Sequence, residues 1–296
     1  MLKRVLCGLG VAAAFLLLLL FGNAWMLVFL GVAVYTVAQN EFLFLAKAAG
    51  VPMRHWSVPV CGIAYLLATA AETPFFQSLY GEIEDGRVFT HFGVTPSEVI
   101  LWFTPVLFLV IAVLRRRTER ALEAFSLSIA SFWYLAVLLG FFVRLALEWP
   151  DLATGRAAIL FMLFVVKMSD AGAYFIGMRF GRKGPRLIPE ISPAKSVIGL
   201  AGGFAFGIAS GLLFALGVRH FPCGLPLTFG HAAVLGVVLT ATGCLGDLAE
   251  SLLKRSAHVK DSAAGVPGIG GILDMLDSPL FAAPVMYLYL RLFLLP

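Results

Sequence analysis

The sequence predicts an all-α polytopic membrane bundle of about nine transmembrane helices with a cytoplasmic N-terminus. Three observations lead there. Of the 296 residues 60% are hydrophobic and 13% charged, about half the charged share of an ordinary soluble domain. The mean hydropathy is +0.93, too apolar for a chain that has to cover itself with water-facing surface. Long apolar runs such as VAAAFLLLLLF (Val11 to Phe21) are what a bilayer-crossing helix requires.

The apolar segments fall at 5–22, 24–45, 58–74, 97–114, 124–147, 157–178, 196–218, 230–253 and 279–295. The first also meets the pattern of a cleaved signal peptide, with Lys3 and Arg4 before it and Gly22-Asn23-Ala24 after it. In so hydrophobic a chain it is read as an uncleaved span, and cleavage would leave the other orientations unchanged. The loops alternate in charge. The N-terminus, the stretches from Lys47 to Arg54, Arg115 to Arg120 and Arg179 to Lys195, and the stretch from Lys254 to Ser278 together carry 16 of the 22 Lys and Arg. The opposite loops hold the acidic segments GEIEDGR (Gly81 to Arg87) and EWPD (Glu148 to Asp151). The positive-inside rule puts the basic set in the cytoplasm, and the expected location is the inner (cytoplasmic) membrane. The net charge of +5 is therefore topology rather than a nucleic-acid footprint, and no nucleic-acid partner is expected. Residues 1–155 form an N-terminal region of about five spans. Residues 156–296 form a C-terminal region of about four spans with cytoplasmic loops.

Several features read as structural. The four cysteines have no paired spacing and the five histidines are isolated, so neither a disulfide framework nor a His-built metal site is expected. Gly203, Gly207 and Gly211 repeat at four-residue intervals in the middle of a span, the spacing of close helix contact.

The chemistry is concentrated after residue 165, in three polar clusters. In KMSDAGAYFIGMRFGRKG (Lys167 to Gly184), Asp170 precedes Arg179 by nine residues, about 13 Å along a helix. A carboxylate there needs a partner or a water-filled cavity; it is either packing glue paired with Lys167 or part of a polar pocket. In ISPAKS (Ile191 to Ser196), Ser192 and Pro193 read as an N-cap and first helical residue, with Lys195 adding charge at an anion-binding helix end. In the third cluster, Asp247, Glu250, Ser251, Lys254 and His258 recur at steps of three and four, a polar stripe on an apolar helix. A glycine-rich turn follows, with Lys260-Asp261 ahead of it and Asp274 and Asp277 after it. Ser278-Pro279 reads as the cap and first position of the last span. Three aspartates without His or Cys offer oxygen ligands for a hard cation such as Mg²⁺. Lys195, Lys254, Arg255 and Lys260 supply charge for phosphates. Together these groups point to phosphoryl or nucleotidyl transfer.

The stretch SLLKRSAHVKDSAAGVPGIGGILDMLD (Ser251 to Asp277) resembles the signature of phosphatidate cytidylyltransferases, also called CDP-diacylglycerol synthases. That signature runs S-x-x-K-R, four residues, K-D, a Pro/Gly-rich turn, G-G and two aspartates three apart. Here it is met by Ser251, Lys254, Arg255, Lys260, Asp261, Pro267, Gly270, Gly271, Asp274 and Asp277. Upstream, DAGAYFIGMRFGR and SPAKS are similar to the family's D-x-x-A-Y-x-x-G and S-P-x-K-[ST] motifs, in the same order. The chain departs from the pattern at Ile269 and Met275, where many members carry His and Arg, and at Val266. The resemblance covers about residues 165 to 280.

The resemblance implies that CTP and phosphatidate react at the cytoplasmic membrane face to give CDP-diacylglycerol and pyrophosphate. It implies Mg²⁺ held by Asp247, Asp274 and Asp277, with room for a second, monovalent cation such as K⁺. Lys254, Arg255, Lys260 and Asp261 would be catalytic, and Ser192, Lys195, Ser251, Gly270, Gly271 and Asp170 would bind substrate. It also leaves room for a homodimer. Two other readings compete: a CTP-dependent polyprenol or phytol kinase, and an ion-coupled transporter. A transporter predicts polar residues in both halves and an internal repeat, and neither is evident. The spacing from K-D to G-G favours the cytidylyltransferase over the kinase. A CDP-alcohol phosphotransferase would need an Asp-Gly…Ala-Arg pattern, which is not found.

Overall fold

A computed structural model describes residues 13–51, 53, 56–78, 93–114, 120–218, 224–259 and 271–295. Residues 13–21 are helical, and the elements that follow are numbered from there. They are α1 (Ala24–Ala48), α2 (Ser57–Ala71), the single turn α3 (Pro74–Gln77), α4 (Pro96–Leu114) and α5 (Ala121–Leu147). After these come α6 (Leu152–Phe180), β1 (Arg186–Ile188), β2 (Ser192–Ser196), α7 (Val197–Val218), α8 (Phe229–Ser256) and α9 (Ile272–Tyr289). The last helix continues as a wider, π-helical stretch over Leu290–Leu294. Among the described residues, six helices are long and apolar enough to cross a bilayer: α1, α4, α5, α6, α7 and α8. The shorter α2 is also apolar. Large apolar side chains such as Trp102, Phe103, Val113 and Leu114 stay exposed on α4, as lipid-facing positions do.

The chain divides into two compact units. The first comprises Met1–Leu152 and Ser256–Asp274. Its core is formed by Tyr35, Leu66, Phe132, Leu135, Leu145 and Leu147, all fully buried. The Tyr35 hydroxyl donates to the Val58 carbonyl at 3.0 Å, so the one polar atom of that ring is satisfied where water is absent. At one end of the unit, the Glu72 carboxylate accepts from the Ser97 N–H (2.5 Å) and Ser97 hydroxyl (2.7 Å), and pairs with Arg144 at 3.1 Å. That network ties the ends of α2, α4 and α5 together. The start of α4 is further closed by Thr95 and Glu98, each bonding the other's N–H, a reciprocal capping box.

The second unit comprises Ala153–Arg255 and Met275–Pro296. Phe161, Met162, Leu235, Leu239 and Leu280 are fully buried in it. Its helices approach through glycines. A Cβ on Gly211 of α7 would stand 2.7 Å from the Ala232 carbonyl oxygen of α8, and one on Gly203 would stand 3.2 Å from the Ser169 carbonyl oxygen of α6. The four-residue glycine repeat of α7 is therefore a packing device, as its mid-span position predicts.

Two local expectations are corrected. Among the described residues the bundle carries one small antiparallel sheet, in which Arg186 pairs with Ser196 and Ile188 with Ser192. Ser192 is accordingly a strand residue, not a helix cap. Pro193 suits an extended edge, where its fixed φ fits and no N–H is demanded. The cap of α7 is Ser196, whose Oγ accepts the Gly199 N–H at 3.1 Å, the bond an N-cap makes to the third helical residue. Nor is Pro279 a helix start. Helix α9 begins at Ile272 and carries Pro279 and Pro284 inside it.

The tight backbone contact at Gly211 yields a stability test. Gly211→Val should destabilise the protein by about 1–3 kcal/mol, the usual cost of overpacking, seen as a lower thermal midpoint in detergent. An unchanged midpoint would mean that α7 and α8 can part at no cost.

Candidate active site

The polar clusters of the second unit meet at one place. Asp170 comes from α6, Lys195 from β2 and Asp247 from α8. Lys195 Nζ lies 2.5 Å from Asp247 Oδ2. The hairpin explains this reach: β2 is pinned at both ends by its pairing to β1, so Lys195 is delivered from a fixed strand. Lys167, one turn before Asp170 on α6, lies 3.8 Å from its carboxylate. Asp247 also accepts the Ser251 hydroxyl at 3.5 Å, one turn along α8.

Asp277 joins this cluster from α9. Its carboxylate is 7% exposed, accepts the Ser278 N–H at 2.6 Å, and is flanked electrostatically by Asp247, Lys167 and Asp170. Two features bring α9 close. Gly246 of α8 faces the backbone of Asp277, and a Cβ there would run into the Asp277 carbonyl oxygen. Pro279 has no N–H for the Met275 carbonyl one turn back, and Lys167 Nζ donates to that oxygen at 3.2 Å. The ammonium thus serves both the Asp170 carboxylate and a carbonyl released by proline. Met275 departs from the family's Arg at this position, but the contact uses its backbone.

The cluster holds three carboxylates, Asp170, Asp247 and Asp277, against two ammonium groups, Lys167 and Lys195. With all five groups ionised, one negative charge is left over. Oxygen-only donors with surplus charge are the donor set that a hard divalent cation prefers. Among the described residues, no three carboxylate, imidazole or thiol groups stand close enough to grip one ion together.

The remaining predicted residues lie elsewhere or outside the described residues. Lys254 pairs with the buried Glu250 at 2.6 Å, one turn back on α8. Arg255 is exposed at the end of that helix. Ser192 sits at the far end of β2 from Ser196. Gly271 and Asp274 fall in the first unit, where Asp274 Oδ2 accepts the Gly271 N–H at 2.9 Å. Lys260, Asp261 and Gly270 lie outside the described residues. Sequence reasoning set Cys244 aside as a structural thiol, and it stands near Lys195, Asp247 and Asp170. It also missed Glu41 of α1, whose carboxylate accepts the N–H groups of Ile272 (2.9 Å) and Leu273 (2.8 Å). A glutamate inside an apolar span was the available signal.

A sequence profile of the cytidylyltransferase family matches residues 2–293. The chain belongs to that family. It is 36% identical over 202 residues to the phosphatidate cytidylyltransferase of Bacillus subtilis (strain 168), covering 68% of this chain and 70% of that protein. It is 31% identical over 239 residues to the phosphatidate cytidylyltransferase of Haemophilus influenzae, covering 79% and 82%. The same enzyme of Thermotoga maritima is 33% identical over 173 residues, covering 58% and 60%. The match over nearly the whole chain brings the N-terminal helices of this cytidylyltransferase into the family as well, beyond the C-terminal motifs that first carried the resemblance.

The contact of α8 with α9 has a kinetic consequence. Gly246→Ala should push the Asp277 backbone away from α8 and lower turnover about tenfold to a hundredfold, since displacements near 1 Å at a reacting centre cost that much. Turnover equal to wild type would mean that the contact does not set the carboxylate's place.

Proposed function

We propose that this protein is a phosphatidate cytidylyltransferase, forming CDP-diacylglycerol and pyrophosphate from CTP and phosphatidate. The observation that carries the reading is the cluster of Asp170, Asp247 and Asp277 around Lys167 and Lys195, in a chain of the cytidylyltransferase family. A phosphate oxygen of phosphatidate attacks the α-phosphorus of CTP, the bond from that phosphorus to the β-phosphate bridge breaks, and pyrophosphate leaves. The attacking phosphate has a second pKa near 6, by analogy with phosphate monoesters, so at neutral pH it is already largely a dianion and needs no general base.

The protein's task is therefore alignment and charge neutralisation. Lys195 is carried on a paired strand and Lys254 is held in place by Glu250; both are suited to holding phosphate oxygens without large reorganisation. Arg255, Lys260 and Asp261 join Lys254 as the expected catalytic residues in the same stretch of chain, and Ser192, Ser251, Gly270 and Gly271 complete the expected substrate contacts. Asp247, Asp274 and Asp277 would hold Mg²⁺, with a monovalent cation such as K⁺ as a second occupant. Bound there, Mg²⁺ would screen the triphosphate and stabilise the departing pyrophosphate. Asp170, paired with Lys167, organises the pocket.

In the membrane, nine spans with a cytoplasmic N-terminus put the basic loops on the side where CTP is dissolved. The inner membrane then supplies phosphatidate at that same face. A homodimer is compatible with this arrangement.

Purified protein reconstituted with CTP, phosphatidate and Mg²⁺ should release CDP-diacylglycerol and pyrophosphate in equal amounts. A folded sample that yields neither would overturn the reading, and a product phosphorylated without cytidine would favour a kinase. Asp274→Asn and Asp277→Asn should each lower kcat on the order of 100-fold or more, with the protein still folded, because each removes a charged metal ligand. Rates near wild type for either variant would take that residue out of the metal set.

A further inference from the structure

We propose that the end of α6 and the β1–β2 hairpin form a binding surface for anionic phospholipid, placed to gather phosphatidate beside Lys195. The choice of phosphatidate rests on the proposed reaction; the surface itself rests on charge and exposure. Helices α6 and α7 are both long and apolar enough to cross a bilayer, and the hairpin joins the end of one to the start of the other. A short link between two spans lies at a membrane face, at the level of the lipid headgroups.

Four cations fall within eight residues there: Arg179, Arg182, Lys183 and Arg186, all of them exposed. Among the described residues none of the four forms an ion pair with a carboxylate, whereas Lys167, Lys195 and Lys254 meet Asp170, Asp247 and Glu250. Arg186 donates instead to two backbone carbonyls, those of Ala194 at 3.3 Å and Arg182 at 3.2 Å. Those bonds hold the guanidinium in place and leave its charge uncancelled. Like charges so close repel one another, and an anionic surface relieves that repulsion.

Apolar side chains stand among these cations. Tyr174, Phe175 and Phe180 are 61%, 58% and 61% exposed, and Val197 and Ile198 at the start of α7 are exposed as well. The Arg179 guanidinium lies 5.6 Å from the centre of the Phe180 ring, so charge and aromatic face act as one unit. Rings that meet acyl chains beside cations that meet phosphate are the pattern of the headgroup level. A dissolved nucleotide would use the charge and leave the rings in water, which favours the lipid. Guanidinium forks also match phosphate oxygens. The surface is continuous with the site. Arg186 pairs across the hairpin with Ser196, the residue after Lys195, and Lys195 meets Asp247.

The test uses the full-length protein in phosphatidylcholine bilayers. Spin-labelled phosphatidate and spin-labelled phosphatidylcholine are the probes, and EPR reads the fraction of each held at the protein. Wild type should prefer phosphatidate about fivefold or more, given roughly fivefold per basic residue near lipid charge. The preference should shrink at about 1 M salt, where charge reaches only about 3 Å. The triple variant Arg179→Gln, Arg182→Gln, Lys183→Gln spares the hairpin bonds of Arg186 and should bring the two lipids within about twofold of each other. Its phosphatidate mole fraction for half-maximal turnover should rise about fivefold, while kcat and KM for CTP stay within about twofold. Arg179→Lys with Arg182→Lys keeps the charge and should keep the preference. Wild type without a preference, or a triple variant that retains it, would overturn the proposal. So would a triple variant with a raised KM for CTP and unchanged lipid preference, which would give the surface to the nucleotide. Wild type that prefers phosphatidate yet forms no CDP-diacylglycerol would support the surface and overturn only the proposed reaction. Should the triple variant not fold, Arg182→Gln with Lys183→Gln decides by the same spectra; should that fail too, the charges serve folding and the proposal falls.

Discussion

A carboxylate inside an apolar helical bundle must find positive charge or a hydrogen-bond donor, and the second unit is organised around that demand. Asp247 takes Lys195 from the hairpin. Asp170 takes Lys167 from its own helix. Asp277, the most buried of the three, has a backbone N–H and a share of Lys167's field. Low dielectric strengthens each of these contacts and raises the cost of leaving any of them unmade. An arrangement so polar and so confined is of little use to folding alone. It suits a reaction in which highly charged phosphates must be brought together.

Such a cluster forms only if the helices come close, and the glycines of α7 and α8 allow it. Where a Cβ would strike a neighbouring carbonyl, as at Gly211 and Gly246, backbone can lie against backbone and the carboxylates can reach a common centre. Proline contributes in the opposite sense. Pro279 opens the hydrogen-bond ladder of α9, and the freed Met275 carbonyl holds the ammonium that also faces Asp170. Packing and electrostatics are here one problem, because the residues that bring the helices together also decide where the charges stand.

Helix starts recur as anchoring points. Glu72 holds the start of α4 through Ser97, Ser196 caps α7, and Glu41 with Asp274 closes α9. In lipid, water cannot serve the N–H groups at a buried helix end, so side chains must do so. A carboxylate assigned to that duty is fixed in direction by the N–H groups it accepts.

By itself the sequence determined the membrane class, the apolar helices, the glycine seam of α7 and the polar clusters that meet in the second unit. These properties are written in hydropathy, in spacing and in the identity of motif residues, all local to the chain. It misread Ser192 as a cap, because a Ser-Pro pair suits a strand edge as well as a helix start and only pairing with β1 separates the two. It placed the start of the last helix at Pro279, because a proline usually opens a helix, and the earlier start is stabilised by a glutamate 231 residues away. It grouped Asp247 and Asp277 as metal ligands and Lys195 beside them as a phosphate-binding cation, without pairing Lys195 with Asp247. Only the tertiary structure decided which carboxylate meets which ammonium, because ion pairs between elements depend on how close two backbones come, and spacing along one helix carries no record of that distance.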